Sequence, residues 1–185
     1  MRVKNVWLFF IMIFTTVVVN AQVYTAKSSG ISFFSEAPME NIEAVNKKSS
    51  SLLNTKTKQV VFQIPIPAFE FKKDLMKEHF NENYMESEKY PQASFNGKIN
   101  EEIDFSKNGA YTASATGKLL IHGVEKERTL KGEITIKEGS ISLKGDFTVV
   151  IADHNIKIPK VVIKNIAEEV LVKVKVEYQP YTKNQ

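Results

Sequence analysis

The feature that most constrains the fold of this chain is a two-residue alternation of apolar and polar side chains, which recurs along much of its length. Successive side chains of a β-strand point to opposite faces, so this alternation is typical of strands that bury one face. Residues 111–121 show it clearly, because small or apolar side chains alternate there with threonine, serine and lysine. The alternation predicts strands over residues 59–66, 93–103, 111–121, 130–137, 141–151 and 170–178.

Weaker patterns predict further elements around these strands. Residues 23–27 and 31–35 are interpreted as two short strands, and residues 42–53 as a long polar edge strand. A helix is predicted over residues 72–83, since apolar side chains recur there on one stripe. The stripe consists of Leu75, Met76, His79 and Phe80.

Short connections separate the strands that follow residue 90. Hairpin turns are predicted at Asn108-Gly109, at Glu138-Gly139 and in the polar stretch 125–128. Strands joined by successive hairpins form an up-and-down meander, which favours a barrel over a Greek-key sandwich, and closure removes the edges that promote aggregation. The predicted fold class is therefore all-β, an antiparallel up-and-down barrel of about eight strands with one short helix insertion.

The N-terminus has the pattern of a signal peptide. Arg2 and Lys4 precede a run of 14 uncharged residues, whereas a membrane-spanning helix needs about 20. Cleavage is predicted after Ala21, the alternative being an uncleaved membrane anchor. We therefore expect a periplasmic or secreted protein whose mature form has no integral membrane segment. The predicted domains are a signal peptide, residues 1–21, and a single barrel domain, residues 22–185.

Composition excludes several classes of function. The chain has no cysteine, which removes thiol catalysis, thiolate metal sites and disulfide exchange. Loss of residues 1–21 takes away Arg2 and Lys4 and lowers the formal net charge from +4 to +2. Because no segment is dense in lysine and arginine, the chain lacks the electrostatic footprint of a nucleic-acid-binding protein.

The histidines give no sign of a catalytic or metal site. His79, His122 and His154 are far apart, and none belongs to a short-spaced cluster of metal ligands. From its parity, His122 is predicted to point outward into solvent. Asp153-His154 is interpreted as a polar turn between strands, because no activated-serine motif accompanies it. We expect no catalytic residues, no metal and no cofactor.

Small residues on the predicted inner face leave two interpretations open. Ala113, Ala115 and Gly117 follow one another on the inward face of one strand. Such residues either leave volume for a cavity or permit bends and close strand approach in a filled barrel. The aromatic-rich segment 69–90 would lie over one barrel opening, as a structural lid or as the mouth through which an apolar ligand enters. Inward parity is shared by Gly97, Gly132 and Gly145.

Three segments, in this order, resemble the YceI-like family of exported lipid-binding proteins. They are "FEFKKDLMKEHFNENYMESEKYPQASFNGKI" (69–99), "GKLLIHGVEKERTLKGEI" (117–134) and "FTVVIADHNIKIP" (147–159). The more specific elements within them are Tyr90-Pro91, His122-Gly123-Val124 and the last segment as a whole. The resemblance implies a lipocalin-like barrel with a helix at one end, whose tunnel holds a long polyisoprenoid or similar lipid chain, and it implies no catalytic residues.

Inward parity and this resemblance together predict the ligand-binding positions. Contacts with an anionic or polar head group are predicted for Lys72, Lys73 and His79 near the insertion. The apolar tunnel is predicted to be lined by Phe62, Phe69, Phe71, Met76, Phe80, Phe95, Ala115, Leu119, Ile121, Phe147 and Val149.

The expected function is non-catalytic binding of a long apolar chain for carriage, storage or stress response. The chain would be a polyisoprenoid, a quinone-like tail or a fatty acid derivative, bound by a monomer or homodimer. The alternative is a filled-core barrel that acts through its surface as an envelope protein-protein interaction module. An isoprenoid-processing enzyme would need a metal or nucleophile that the sequence does not supply.

Overall fold

The fold is taken from a computed structural model that describes residues 22–36, 41–158 and 167–182. The predicted signal peptide, residues 1–21, lies outside the described residues. The described part contains ten strands and one short α-helix, α1 (Asp74–His79). The strands are β1 (Val23–Ser35), β2 (Ile42–Asn46), β3 (Ser50–Asn54), β4 (Gln59–Pro65), β5 (Phe69–Phe71), β6 (Gln92–Ile99), β7 (Gly109–Ile121), β8 (Val124–Lys137), β9 (Ser140–Val150) and β10 (Glu169–Pro180).

Eight of these strands close into an antiparallel barrel. Around the barrel the order is β1, β3, β4, β6, β7, β8, β9 and β10, and β10 pairs back onto β1 from Tyr24↔Pro180 to Phe34↔Leu171. The two remaining strands, β2 and β5, extend the sheet beside the second half of β1. The predicted all-β closed barrel with one short helix is therefore confirmed, as is the sequential meander from β6 to β10.

The inner face of the barrel follows the predicted alternation. In β4 the side chains of Val60, Phe62 and Ile64 are buried, and in β6 those of Ala93 and Phe95 are buried, while the residues between them are more exposed. Each buried apolar side chain of this size contributes roughly 1.5–3 kcal/mol to folding. Burial of this inner face is thus what selects the register of each strand, since a one-residue slip would turn it toward solvent.

The first third of the chain differs from the sequence prediction. The two short strands predicted before residue 36 form one continuous strand, β1. The predicted edge strand over residues 42–53 is instead two strands, β2 and β3. β3 is not an edge strand, because it lies between β1 and β4 in the barrel wall, and its Leu53 is fully buried. The chain turns between them because the Asn46 side chain accepts a hydrogen bond from the Lys48 N–H (2.8 Å) and donates one to the Pro65 carbonyl (2.8 Å).

Two of the predicted hairpin turns are displaced. The β7–β8 turn is His122-Gly123, with φ of 51° and 72°, so residues 125–128 belong to β8. Positive φ at both central residues matches the right-handed twist of the flanking strands. The turn at Glu138-Gly139 has the same geometry, with φ of 50° and 79°, and is confirmed. At Asn108-Gly109 the chain instead ends a longer loop between β6 and β7.

The helix is shorter than predicted and its apolar stripe is split. One wider helical turn, Phe80–Tyr84, follows α1 and rotates the later side chains toward the barrel. Phe80 packs inward, whereas Leu75 is 60% exposed and His79 is also exposed. None of the helices formed by the described residues has the length and apolar character needed to span a bilayer.

Candidate ligand-binding cavity

The barrel encloses a cavity of about 570 Å³, walled mainly by apolar side chains from the inner faces of the strands. This volume lies within the range of about 300–1,000 Å³ typical of small-molecule sites. The barrel core is therefore not filled by side chains alone. The alternative prediction, a surface-acting module, required a filled core. Cavity-lining residues come from β1, β2 and β4 to β10 and from the α1 insertion, so the cavity runs along much of the barrel.

The structure brings together every residue predicted to line the apolar tunnel. All of them lie in the cavity wall, while their role as ligand contacts stays a prediction. They are Phe62, Phe69, Phe71, Met76, Phe80, Phe95, Ala115, Leu119, Ile121, Phe147 and Val149.

Four phenylalanine rings form a cluster under the α1 insertion. Phe80 is central to it, because its ring centroid lies 5.0 Å from that of Phe71, 5.5 Å from Phe69 and 5.4 Å from Phe33. Rings at such separations attract one another beyond their burial. The sequence reasoning missed Phe33, although the alternation of Ile31, Phe33 and Ser35, which all line the cavity, carried the signal.

The small inward residues serve both of the purposes that the sequence left open. Ala113 and Ala115 line the cavity, where larger side chains would occupy its volume. Gly117 instead lies opposite Gly97, and a Cβ added at Gly117 would collide with the Asn96 carbonyl and the Gly97 Cα. The alanines thus leave space, and this glycine pair allows the backbones of β6 and β7 to approach closely.

The predicted head-group residues are only partly brought to the cavity. His79 lies in the wall, but Lys72 and Lys73 are exposed and do not. Lys72 is 85% exposed and faces Glu43, with 3.4 Å between its Nζ and the carboxylate. An exposed ion pair of this kind contributes little to stability.

His122 is buried, contrary to the predicted solvent exposure. Only 7% of it is exposed, because the positive φ of the turn directs its side chain away from the strand parity. Its Nδ1 lies 3.0 Å from the His154 carbonyl oxygen and its Nε2 lies 2.8 Å from a Glu86 carboxylate oxygen. Both partners are oxygen atoms, and together they tie the β7–β8 turn to the insertion and to the turn after β9.

The Asp153-His154 pair lies in a short 3-10 turn after β9, as the turn interpretation predicted. Asp153 accepts a hydrogen bond from Arg128 (2.6 Å). His154 is fully buried, with Nδ1 3.2 Å from the Val124 carbonyl oxygen and no hydrogen-bond partner at Nε2 among the described residues. Burial lowers the pKa of His154 below its ordinary value of 6.5.

The sequence motifs that carried the family resemblance meet at one end of the barrel. The ring centroids of Tyr90 and His122 are 4.5 Å apart. A Cβ added at Gly123 would lie 2.5 Å from Tyr90 Cε1, so Tyr90 packs closely against this turn. The backbone of His154 completes this cluster through its contact with His122. We infer that these motifs fix the insertion and two strand ends together. Within the described ranges no three His, Asp or Glu side chains are grouped as metal ligands.

The closed eight-strand barrel around one apolar cavity is a lipocalin-like barrel. Residues 22–178 match the YceI-like domain, and the chain belongs to this family, which confirms the resemblance seen in the sequence. No curated protein sequence matches the chain.

Several solved structures share the fold. A polyisoprenoid binding domain from Saccharophagus degradans has a TM-score of 0.73 and 13% identity, over 85% of this chain and 98% of that one. Burkholderia cenocepacia BcnA has a TM-score of 0.68 and 17% identity, over 80% and 95%. A Campylobacter jejuni YCEI protein has a TM-score of 0.62 and 19% identity, over 80% and 90%. At these identities the likeness shows the fold alone.

Proposed function

We propose that the protein is an exported, non-catalytic carrier or store that holds one long apolar chain inside its barrel. The chain would be a polyisoprenoid, a quinone-like tail or a fatty acid derivative. The single observation that carries this proposal is the cavity of about 570 Å³ with its mainly apolar wall. Water gains few hydrogen bonds in such a space, whereas a hydrocarbon chain gains contacts along its whole length.

The energetics favour an extended hydrocarbon over a small polar ligand. Burying each methylene group contributes about 0.8 kcal/mol, so a long chain can be held without many polar contacts. The Phe33, Phe69, Phe71 and Phe80 cluster adds flat aromatic surface at one end of the cavity. The Saccharophagus degradans neighbour, described as a polyisoprenoid binding domain, supports a ligand of this class.

The contacts of the polar residues support a binding role rather than a catalytic one. Asp153 is engaged by Arg128, and His154 bonds to backbone rather than to a nucleophile. Export is supported by the basic and then apolar N-terminus and by the start of the family match at residue 22. Intact-mass analysis of the exported fraction should give a mature chain that begins at Gln22, and an uncleaved chain there would contradict this part of the proposal.

The binding proposal is tested by a chain-length series. We expect geraniol, farnesol and geranylgeraniol to bind with rising affinity, each added isoprene unit lowering Kd by more than about tenfold until the cavity is filled. Isothermal titration calorimetry of residues 22–185 measures this directly. Prenol, the five-carbon alcohol with the same hydroxyl group, is the control for binding through the head group alone. Equal affinity across the series, or no binding of any member, would contradict the proposal.

A further inference from the structure

A recess lies on the outer surface of the barrel, where β1 loses its neighbour on one side. β1 pairs with β3 up to Thr25 and with β2 from Ile31, and no strand of the described chain pairs on that side with residues 26–30. The recess has a volume of about 390 Å³ and shares no lining residue with the barrel cavity. We call it the β1 recess.

A β-bulge turns two consecutive side chains of β1 into the recess. Lys27 is left out of the register with β10, which passes from Ala26 directly to Ser28. An extra residue of this kind bends the strand and re-aims its side chain. Consecutive side chains of a regular strand point to opposite faces, whereas Lys27 and Ser28 are both exposed and both line the recess.

Hydrogen bonds hold the backbone on both sides of the recess. Ser29 Oγ lies 2.6 Å from Ser49 Oγ, and this buried contact ties β1 to the connection between β2 and β3. Asn46 Oδ1 accepts a hydrogen bond from the Lys48 N–H (2.8 Å), which shapes the same connection. Lys47 lies between these fixed points and lines the recess from the side opposite β1.

The middle of the recess is open because Gly30 has no side chain. A Cβ added there would meet nothing in the described chain nearer than the Lys175 carbonyl oxygen, at 3.9 Å. On the inner side of the same strands, Ser51 Oγ lies 2.7 Å from the Tyr178 hydroxyl, and both residues are buried. Burial raises the pKa of Tyr178 to about 12, so this hydroxyl keeps its proton and adds no negative charge behind the recess.

The wall of the recess is positively charged. It contains three lysines, Lys27, Lys47 and Lys175, and one acid, Glu177, which gives a formal net charge of +2. None of the three lysines forms an ion pair within the described part of the chain. Lys144 also lies directly opposite Lys175. Like charges opposite each other are unfavourable in a sheet, and a bound anion relieves that repulsion.

Acids on the neighbouring strands β2, β8 and β9 do not cancel this charge. None of them lines the recess, and each has a lysine as its register or ion-pair partner. They are Asp146 opposite Lys173, Glu133 opposite Lys144, and Glu43 at 3.4 Å from Lys72. The excess of positive charge therefore stays with the lysines of the wall.

We propose that the β1 recess binds a phosphate group. A phosphomonoester carries a charge of about −1.5 to −2 near pH 7, which matches the formal charge of the wall. Its oxygens accept hydrogen bonds from lysine ammonium groups and from the Ser28 hydroxyl. The group could belong to a soluble phosphomonoester or to the head group of a phospholipid. The recess is separate from the cavity, so this inference does not rest on the proposed function.

A titration with glycerol 3-phosphate tests the site with a soluble probe. Amide chemical shifts of residues 22–185 should change saturably at residues 27–30, 47–49 and 175–177, and the binding should weaken as salt is added. We expect Lys27→Gln/Lys175→Gln to weaken binding, each substitution by about twofold to fivefold, the range for exposed charge pairs. The control Lys56→Gln/Lys137→Gln removes the same charge from exposed lysines outside the recess and should have no effect.

Vesicle sedimentation distinguishes the two sources of the phosphate group. If the source is a lipid head group, the protein should bind phosphatidylcholine vesicles that contain phosphatidic acid but not phosphatidylcholine alone. The Lys27→Gln/Lys175→Gln variant should then lose about fivefold in binding for each lysine.

Binding of either probe that the recess variant weakens and the control variant does not would support the site. Absence of saturable binding of both probes, or equal weakening by the two variants, would overturn it. Geranylgeraniol binding should be the same in the recess variant and the unaltered protein. Failure of geranylgeraniol to bind would therefore refute the proposed function and leave the recess unaffected.

Discussion

Ala115 is the position at which a hollow barrel and a filled core predict different effects of a large side chain. Its side chain lines the cavity from β7. We expect Ala115→Trp to fold normally and to lose geranylgeraniol binding, because the indole occupies the space of the ligand. In a filled core the same change would instead cost about 1–3 kcal/mol of stability through overpacking. Calorimetry and urea denaturation measure the two effects separately.

The control for this variant lies on the same strand. Ala110→Trp places the indole on the exposed side of β7, outside the cavity wall, and should leave binding unchanged. The chain's single tryptophan is Trp7, within the predicted signal peptide, so the introduced indole is the fluorophore of a chain starting at residue 22. We expect blue-shifted tryptophan emission from Ala115→Trp but not from Ala110→Trp. Retained lipid binding in Ala115→Trp would contradict the cavity.

His154 gives the stability of the protein a dependence on pH. In the unfolded chain it gains a proton near pH 6.5, whereas burial lowers its pKa in the fold. As the pH falls through 6.5, the unfolded state binds more protons and the free energy of unfolding decreases. We expect the urea midpoint to fall more steeply from pH 7 to about 5 in the unaltered protein than in His154→Gln. Equal slopes for the two proteins would refute this prediction.

The behaviour of individual residues shows where sequence reasoning succeeds. Residues in the middle of strands, such as Phe95 and Leu119, are placed correctly because parity alone decides which face they occupy. His122 is misplaced because it lies in a turn whose positive φ breaks parity. The burial of His154 was missed because it depends on partners from other parts of the chain, Val124 and His122.

At the scale of the elements, the glycine pair of β6 and β7 explains how two strands of the barrel wall come close together. A Cβ at Gly117 would collide with backbone atoms, which cannot move aside as a flexible side chain can. We expect Gly117→Ala to lower the free energy of unfolding by about 1–3 kcal/mol, measured by urea denaturation.

Gly30 in β1 is the matched control for this prediction. A Cβ there would meet its nearest atom, the Lys175 carbonyl oxygen, at 3.9 Å, which is an ordinary contact. Gly30→Ala should therefore be neutral or slightly stabilising, since alanine restricts the unfolded chain more than glycine does. Similar losses for both variants would show that β-strand propensity, not close approach, sets the effect.

Element bounds could be predicted where alternation is long and one-sided, as in β6 and β7. The split of residues 42–53 into β2 and β3 could not, because it depends on a hydrogen bond from Asn46 to Pro65, 19 positions away. The point at which β8 and β9 stop pairing, at Gly132 and Gly145, could not be predicted either. The pattern of a single strand shows which face is buried, but it does not show where pairing with a neighbour ends.

At the scale of the whole molecule, the closed barrel and its cavity are formed by the same strands. Closure removes exposed sheet edges along most of the wall, and the small inward residues leave the interior unfilled. The composition of the chain, with no cysteine and a modest net charge, is consistent with stability from barrel closure and burial. The proposed ligand would complete the apolar core that the side chains leave incomplete.

Native mass spectrometry of the protein purified from its own host tests the central claim most directly. We expect one lipid per chain, released on collisional activation and identified as a long-chain apolar molecule, and we expect Ala115→Trp purified in the same way to lack it. Detection of the bare chain alone, together with no change in thermal stability on adding prenyl and acyl lipids, would contradict the account.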